Sequence, residues 1–288
     1  MKFFLSGLGN WYNDFNLVSK AILTADKLDY DGALIPDHYM WGTTEWLKRP
    51  DSNVTMESWI TITHLLAKTE QIRLGTLVTP IPFRPPGMLA KMVSTLDVLS
   101  NGRVIVGIGA GWSQVEFDAF SEWNEPRTRV DKTKEGLELM IQLWTQDEVT
   151  FEGKYYRAHG AIVEPKPIQK PYPKLLFGGR GDRMLKLAAK YADICFVPSF
   201  QGTDNLEERR QIVINAAKHH NREKDIGFMD GSMRGILSKG SFDTSNVSKL
   251  VDNASEAGME YFLVSISRTE SFLENIESFA SDVIPSYR

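Results

Sequence analysis

Residues 71–116, QIRLGTLVTPIPFRPPGMLAKMVSTLDVLSNGRVIVGIGAGWSQVE, constrain the fold more than any other part of the chain. Residues 73–78 form a short run of leucine and β-branched side chains, the composition of a covered strand. Met88, Leu89, Met92, Val93, Leu96 and Leu99 then recur at helical spacing and make one apolar stripe. Ser100, Asn101 and Gly102 tolerate left-handed backbone where that helix must stop. Residues 104–108 are again continuously apolar, as a strand covered on both faces is. Two such strands joined by an amphipathic helix pair in parallel through a right-handed crossover. In parallel α/β folds, ligands meet the chain where strands run into their following loops. That chemical end takes in Thr76, Leu77, Val78, Thr79 and Pro80 after the first strand, and residues 107–112 after the second. The Asn101-Gly102-Arg103 turn belongs to the opposite end and reads as folding chemistry.

The same alternation runs through the rest of the chain. Strands are predicted at 2–8, 33–35, 174–177, 194–197, somewhere within 228–237, and at 261–265. Helical patterns follow them at 17–28, 58–69, 183–191, 205–221, 247–257 and 270–284. After the central unit come a short helix at 114–120 and a longer one at 127–144, with Leu137, Met140, Ile141 and Trp144 on one face. Eight strand–helix pairs imply an α/β fold, a single (β/α)8 TIM barrel over residues 1–288. Residues 148–173 break the rhythm. Residues 149–156 read as a β-hairpin turning at Glu152-Gly153-Lys154, and Pro165, Pro167, Pro171 and Pro173 keep the following chain extended. No core of its own follows, so this reads as an insertion within the barrel.

Composition bounds the function class. With 42% hydrophobic residues among 288, the chain has material for a full core. A net charge of -4 argues against an electrostatic nucleic-acid binder. No run approaches the roughly 18 apolar residues of a membrane span, and the apolar start is too short for a signal peptide. The single cysteine, Cys195, sits in the apolar run 194–197 and reads as a small buried hydrophobe, which fits a reducing, cytoplasmic compartment. No histidine pair has metal-ligand spacing, so no metal is expected.

Three groups of residues stand at the predicted chemical end. Asp37 and His38 directly follow the second strand. A histidine there can move a proton near neutrality, or it can merely hydrogen-bond its loop with Asp37 as partner. Gly107, Gly109 and Gly111 lack the spacing of a dinucleotide fingerprint, but glycines let a flat ligand approach the backbone. Gly178, Gly179, Arg180 and Gly181 follow the fifth strand and open a helix, so N–H groups, helix dipole and guanidinium together suit a phosphate; the alternative is a plain tight turn. Trp11, Trp41 and Trp112 fall on loops at the same end, as apolar walls for a planar cofactor or as core packing.

DGALIPDHYMW, RLGTLVTPIPFRPP, LAKMVSTLDVLSNGRVIVGIGAGW, RVDKTKEGLELMIQLWTQDEVTFEGKYYR, EPKPIQKPYPKLLFGG and RMLKLAAKYADI together resemble the luciferase-like monooxygenase superfamily. More narrowly they are similar to its branch of oxidoreductases that use the deazaflavin coenzyme F-420. The resemblance covers residues 1–197 and fades afterwards. It implies a flavin-type cofactor lying across the barrel mouth and a non-prolyl cis peptide within Thr76-Leu77-Val78. It also implies a phosphate loop at Gly179, Arg180 and Gly181, and a catalytic His38. On that footing the expected cofactor contacts are Asp37, Thr76, Leu77, Val78, Gly109, Ala110, Gly111, Trp112, Gly178, Gly179, Arg180 and Gly181. Sugar-phosphate dehydrogenases of this branch carry a glutamate after the glycines of strand four; Trp112 stands there instead. FMN-using members tend to place an arginine at that strand end, and the glycine run here has none. The expectation is F-420-dependent hydride transfer with a small-molecule substrate, in a homodimer. The alternatives are an FMN-dependent monooxygenase and a non-catalytic flavin-binding protein; a titratable histidine at the ring favours catalysis over storage. The substrate-setting loops, 42–55 and the stretch after Pro198, lie where the resemblance is faint.

Overall fold

A computed structural model describes residues 1–6, 14–40, 55–197, 206–231, 243–266 and 270–288. Eight parallel strands close into a barrel: β1 (Lys2–Ser6), β2 (Gly32–Ile35), β3 (Arg73–Thr76), β5 (Val104–Gly109), β8 (Lys174–Gly178), β9 (Ile194–Phe196), β10 (Gly227–Asp230) and β11 (Tyr261–Ser265). β3 pairs with β5, and β11 returns to β1 with Lys2 opposite Tyr261 and Ser6 opposite Ser265, so no edge is left open. The two-residue strand β4 (Thr79–Pro80) continues the β3 wall against β5 after an interruption at Leu77 and Val78. The fold is the expected (β/α)8 TIM barrel.

The helices between strands are α1 (Phe15–Lys27), α2 (Ser58–Leu66), α3 (Pro86–Leu99), α4 (Gln114–Phe120), α5 (Pro126–Thr145), α6 (Asp182–Tyr191), α7 (Leu206–Lys218), α8 (Thr244–Glu256) and α9 (Phe272–Asp282). Side chains accept the orphan N–H groups that open three of them: Asp14 from Leu17, Glu57 from Ile60 and Asp243 from Asn246. In α3 the stripe differs from the expected one. Leu89, Ala90, Val93 and Leu96 face the core, whereas Met88 is 61% and Leu99 73% exposed. At 100° per residue, positions 89, 93 and 96 centre the buried face, and 88 and 99 fall to its flanks.

Two apolar layers result. The larger lies between helices and sheet; the smaller fills the barrel and includes Phe4, Leu34, Leu77, Ile105, Leu176 and Tyr261. Large interior rings sit beside missing side chains on the next strand. A Cβ on Gly32 would lie 2.3 Å from the Phe4 ring, and one on Gly227 would lie 2.4 Å from the Tyr261 ring. Alternating bulk of this kind fills a tapering barrel.

The turn at Asn101 and Gly102 has left-handed backbone (φ 53 and 74) and lies at the end away from the strand C-termini. Its neighbour Arg103 donates to Thr69 Oγ1 and to the carbonyls of Leu66, Ile72 and Ser100, tying α2 to the start of β3. This is the folding role expected of it.

The insertion is a hairpin of β6 (Val149–Glu152) and β7 (Arg157–Ala161). It turns across residues 153–156, with Gly153 N bonded to Tyr156 O, so the return strand starts later than expected. Glu135 of α5 accepts the N–H groups of Lys154, Tyr155 and Tyr156, and those bonds claim the residues that would otherwise have paired. No helix among the described residues is long and apolar enough to cross a membrane. Cys195 is buried, and burial pushes its thiol up to about 12, an inert core residue as expected.

Candidate active site

The C-terminal ends of β2, β3, β5 and β8 meet around one small region. β3 stops at Thr76, the Leu77–Val78 peptide that follows is cis, and β4 resumes the ladder at Thr79. This is the non-prolyl cis bond expected within residues 76–78. Leu77 N donates to Ile35 O at 2.9 Å, which anchors the interruption to the end of β2. Val78 then turns over two neighbouring strands. A Cβ on Gly109 would lie 2.4 Å from Val78 Cγ2, and one on Gly178 would lie 3.0 Å from Val78 Cγ1. A Cβ on Gly107 would run into the Thr76 carbonyl at 1.9 Å. The glycine run after β5 therefore makes room first for the chain's own bulge. At Gly107 and Gly109 the space a side chain would fill is taken by Thr76 and Val78. Gly111 has φ 78 and needs glycine for its backbone, with the Phe117 ring packed against it.

Asp37 and His38 point to different partners, as neighbours on a loop do. Asp37 is 4% exposed, and both its oxygens are engaged: Arg84 Nη1 and Nη2 donate at 2.6 and 2.8 Å, and Thr79 Oγ1 donates at 2.8 Å. Arg84 also reaches Glu57, which caps α2, and its guanidinium lies 4.9 Å from the Tyr39 ring centre. Thr79 Oγ1 accepts from Trp59 Nε1 at 3.1 Å. Asp37 is thus a buried brace for the loop, bonded to Arg84 and Thr79 where partnership with His38 was the alternative. The Thr76 side chain is likewise internal, accepting from Gly107 N at 3.2 Å.

His38 finds its partner elsewhere. Nδ1 lies 2.7 Å from Oε2 of Glu116, a residue of α4 that is 2% exposed. The other Glu116 oxygen accepts from the backbone N–H of Tyr39 and, at 3.4 Å, of Met40. A carboxylate offers only acceptors, so Nδ1 carries the hydrogen and Nε2 is the ring's acceptor when the ring is neutral. The Trp112 ring stands edge-on to His38 with centroids 5.4 Å apart, and 52% of Trp112 is exposed.

Sequence reasoning missed Glu116, Arg84 and the positioning part of Thr79. Trp112 does stand where a glutamate was sought, but α4 delivers a carboxylate to His38 one helical turn later. A signal existed: Ser113 to Glu116 has the S-x-x-E spacing of a capping box. In the structure Ser113 is the N-cap without a side-chain bond, and Glu116 turns to the β2 loop instead of closing the box.

At the end of β8, Gly179 and Gly181 lead into α6, whose N-cap Gly181 provides no side-chain cap. A Cβ at Gly181 would meet nothing within 4 Å, and Arg180 beside it is exposed. Backbone N–H groups, a helix dipole and a guanidinium are thereby collected at one open position. Ala110 is partly buried against the core and Gly178 lies under Val78, so both line the same end without a polar handle. Trp11 and Trp41, and the loop residues 42–54, 198–205 and 232–242, lie outside the described residues.

A family profile for luciferase-like monooxygenases matches residues 10–233. An F420-dependent glucose-6-phosphate dehydrogenase of Intrasporangium calvum is 33% identical over 184 residues, covering 62% of this chain and 53% of the relative. An FMNH(2)-dependent dimethylsulfone monooxygenase of Pseudomonas putida is 34% identical over 139 residues, covering 48% of this chain and 38% of the relative. The chain thus matches about half or less of the length of these relatives. Among solved structures, an F420-dependent secondary alcohol dehydrogenase in complex with an F420-acetone adduct superposes with TM-score 0.80 at 21% identity, covering 100% of both chains. The coenzyme F420 dependent tetrahydromethanopterin reductase from Methanopyrus kandleri gives TM-score 0.80 at 19% identity, covering 100% of this chain and 99% of that one. Those two likenesses show a shared fold. The profile match, which takes in the bulge, the His38 loop and the glycines after β5 and β8, identifies the chain as a member of the luciferase-like monooxygenase family.

Proposed function

We propose that this protein is an oxidoreductase that transfers a hydride between coenzyme F-420 and a small organic substrate at the mouth of the barrel. The observation that carries the reading is His38, at the C-terminal end of β2, with Nδ1 held 2.7 Å from a buried carboxylate. Such a ring exchanges a proton through Nε2, which a simple storage site does not require. His38 takes a proton from the substrate, or returns one, as the hydride moves. When bound, F-420 supplies the two-electron carrier.

The residues present fit that group. Gly179, Arg180 and Gly181 offer an uncapped helix start and a guanidinium for its phosphate, and Val78 offers an apolar surface behind a ring. Trp112 and Ala110 make one wall. One feature favours F-420 over FMN: no arginine stands in the glycine run after β5. The F420-dependent relative is as similar to this chain as the FMN-dependent one, 33% against 34% identical. The FMN-dependent relative keeps a monooxygenase as the second reading. Titration of the purified protein with F-420 and with FMN separates the two. Tighter F-420 binding supports hydride transfer, and FMN binding without F-420 binding moves the assignment to the monooxygenase.

A homodimer through outer helices belongs to the same proposal, supported by exposed apolar side chains at Ile60 of α2 and Met88 of α3. Sedimentation at micromolar concentration should give twice the mass of one 32.6 kDa chain; a monomer would remove this part.

A further inference from the structure

Glu116 sits at the third position of α4 and is 2% exposed, yet none of its three donors belongs to its own helix. They come from three successive residues of the β2 loop: the ring of His38 and the N–H groups of Tyr39 and Met40. One carboxylate therefore fixes the ring and its backbone in a common frame. The opposite side of the loop is held through Asp37 by Arg84 and Thr79. Those anchors hold the loop on both sides of His38, and the Glu116 bond is met by the Nδ1–H tautomer.

We infer that Glu116 is the positioning residue of this site: it selects the Nδ1–H tautomer of His38 and so turns Nε2 away from α4 as the proton-exchanging nitrogen. The inference rests on the reading that His38 moves a proton, but its first test needs neither cofactor nor substrate. A helix-opening glutamate usually bonds back to its own N-cap. Here it is diverted to a loop 78 positions earlier, and the helix start goes without that bond. Simple burial of a carboxylate would not require the His38 contact, because the backbone donors alone could satisfy it.

The test is a two-bond 15N–1H correlation spectrum of the protein with 15N-labelled histidine. The chain has five histidines, and His38→Asn assigns the signal. The wild type should show His38 as the Nδ1–H tautomer. Glu116→Ala should return that ring to a mixture of tautomers and leave the other histidine signals in place. Glu116→Gln, whose single amide oxygen is claimed by the Tyr39 and Met40 N–H groups, turns its NH2 toward Nδ1 and should shift the ring toward the Nε2–H tautomer. An Nε2–H tautomer in the wild type would overturn the inference, as would an unchanged His38 signal in Glu116→Ala. Should the alanine variant not fold, the wild-type and Glu116→Gln spectra decide. Once turnover is measured, Glu116→Ala should lower kcat by about 10-fold or more, as loss of the carboxylate that orients a catalytic histidine does, with KM little changed. Glu116→Gln should not recover that loss, because its NH2 cannot accept from Nδ1–H. Failure of the spectra leaves the hydride-transfer reading intact, since cofactor titration tests that reading separately.

Discussion

Val78 Cγ2 stands where a Cβ on Gly109 would have to be, 2.4 Å from that ideal position. The bulge after β3 and the glycines after β5 are therefore one feature built from two strands. Gly109→Ala should destabilise the fold by about 1–3 kcal/mol, the range for forcing a methyl into packed space. Combining it with Val78→Ala should cost less than the sum of the two single changes, because each relieves the other. Urea unfolding of the four proteins measures this. Additive losses would mean that the two residues do not share the space.

Arg84 and Asp37 form a bidentate ion pair with side chains 9% and 1% exposed. Removing one partner leaves a buried charge uncompensated, so Arg84→Met should cost about 3–5 kcal/mol. The double variant Arg84→Met with Asp37→Ala should recover part of it. Arg84→Lys should not restore the wild type, since an ammonium cannot make the forked contact. Equal stability of Arg84→Met and wild type would show that the pair does not brace the loop.

Much of the barrel was legible, and the reason is local. Strands covered on both faces read as continuous apolar runs, so Tyr261–Ser265 and the helix Gln114–Phe120 have their expected limits. Left-handed Asn101 and Gly102 mark a helix end wherever they occur. The site was legible only in part. Sequence shows that Gly107 and Gly109 lack side chains, but not that Thr76 and Val78 fill the gap. His38 was visible because it follows a strand, whereas its bond to Glu116 spans 78 positions and depends on closure of the whole barrel. Adjacency to His38 leaves Asp37 a possible partner, and only the folded loop shows it turned to Arg84.

The loop before α6 makes a binding prediction. Arg180 is exposed, so Arg180→Ala should leave the urea midpoint unchanged. It should weaken F-420 binding about 10- to 150-fold, from roughly 1.5–3 kcal/mol for a charged hydrogen bond. Fluorescence titration reads the affinity. An unchanged affinity would put the phosphate at another position.

Buried tyrosines make the fold's stability fall at alkaline pH. Burial pushes Tyr39 up to about 12; Arg84 opposes this, and Asp37, Glu57 and Glu116 add to it. Burial, with Glu135 adding, pushes Tyr156 up to about 12. Unfolded tyrosine titrates near 10. Between about pH 10 and 12 the unfolded chain has lost protons that the folded chain keeps. Stability from these groups is whole below about pH 10 and falls as pH rises toward 12. The urea midpoint should fall over that range. A constant midpoint from pH 9 to 11.5 would contradict it.

The central claim is that His38 acts on the reaction and not on cofactor binding. The most direct measurement compares His38→Ala with wild type, reading F-420 affinity by titration and turnover by steady-state kinetics on the same preparations. Turnover should fall by roughly 10²–10⁴-fold, the range for losing a positioned acid–base group. F-420 affinity should change much less, because the binding contacts proposed above are Arg180, Gly181 and the Val78 surface. Equal losses of turnover and affinity would make His38 a binding residue and contradict the account.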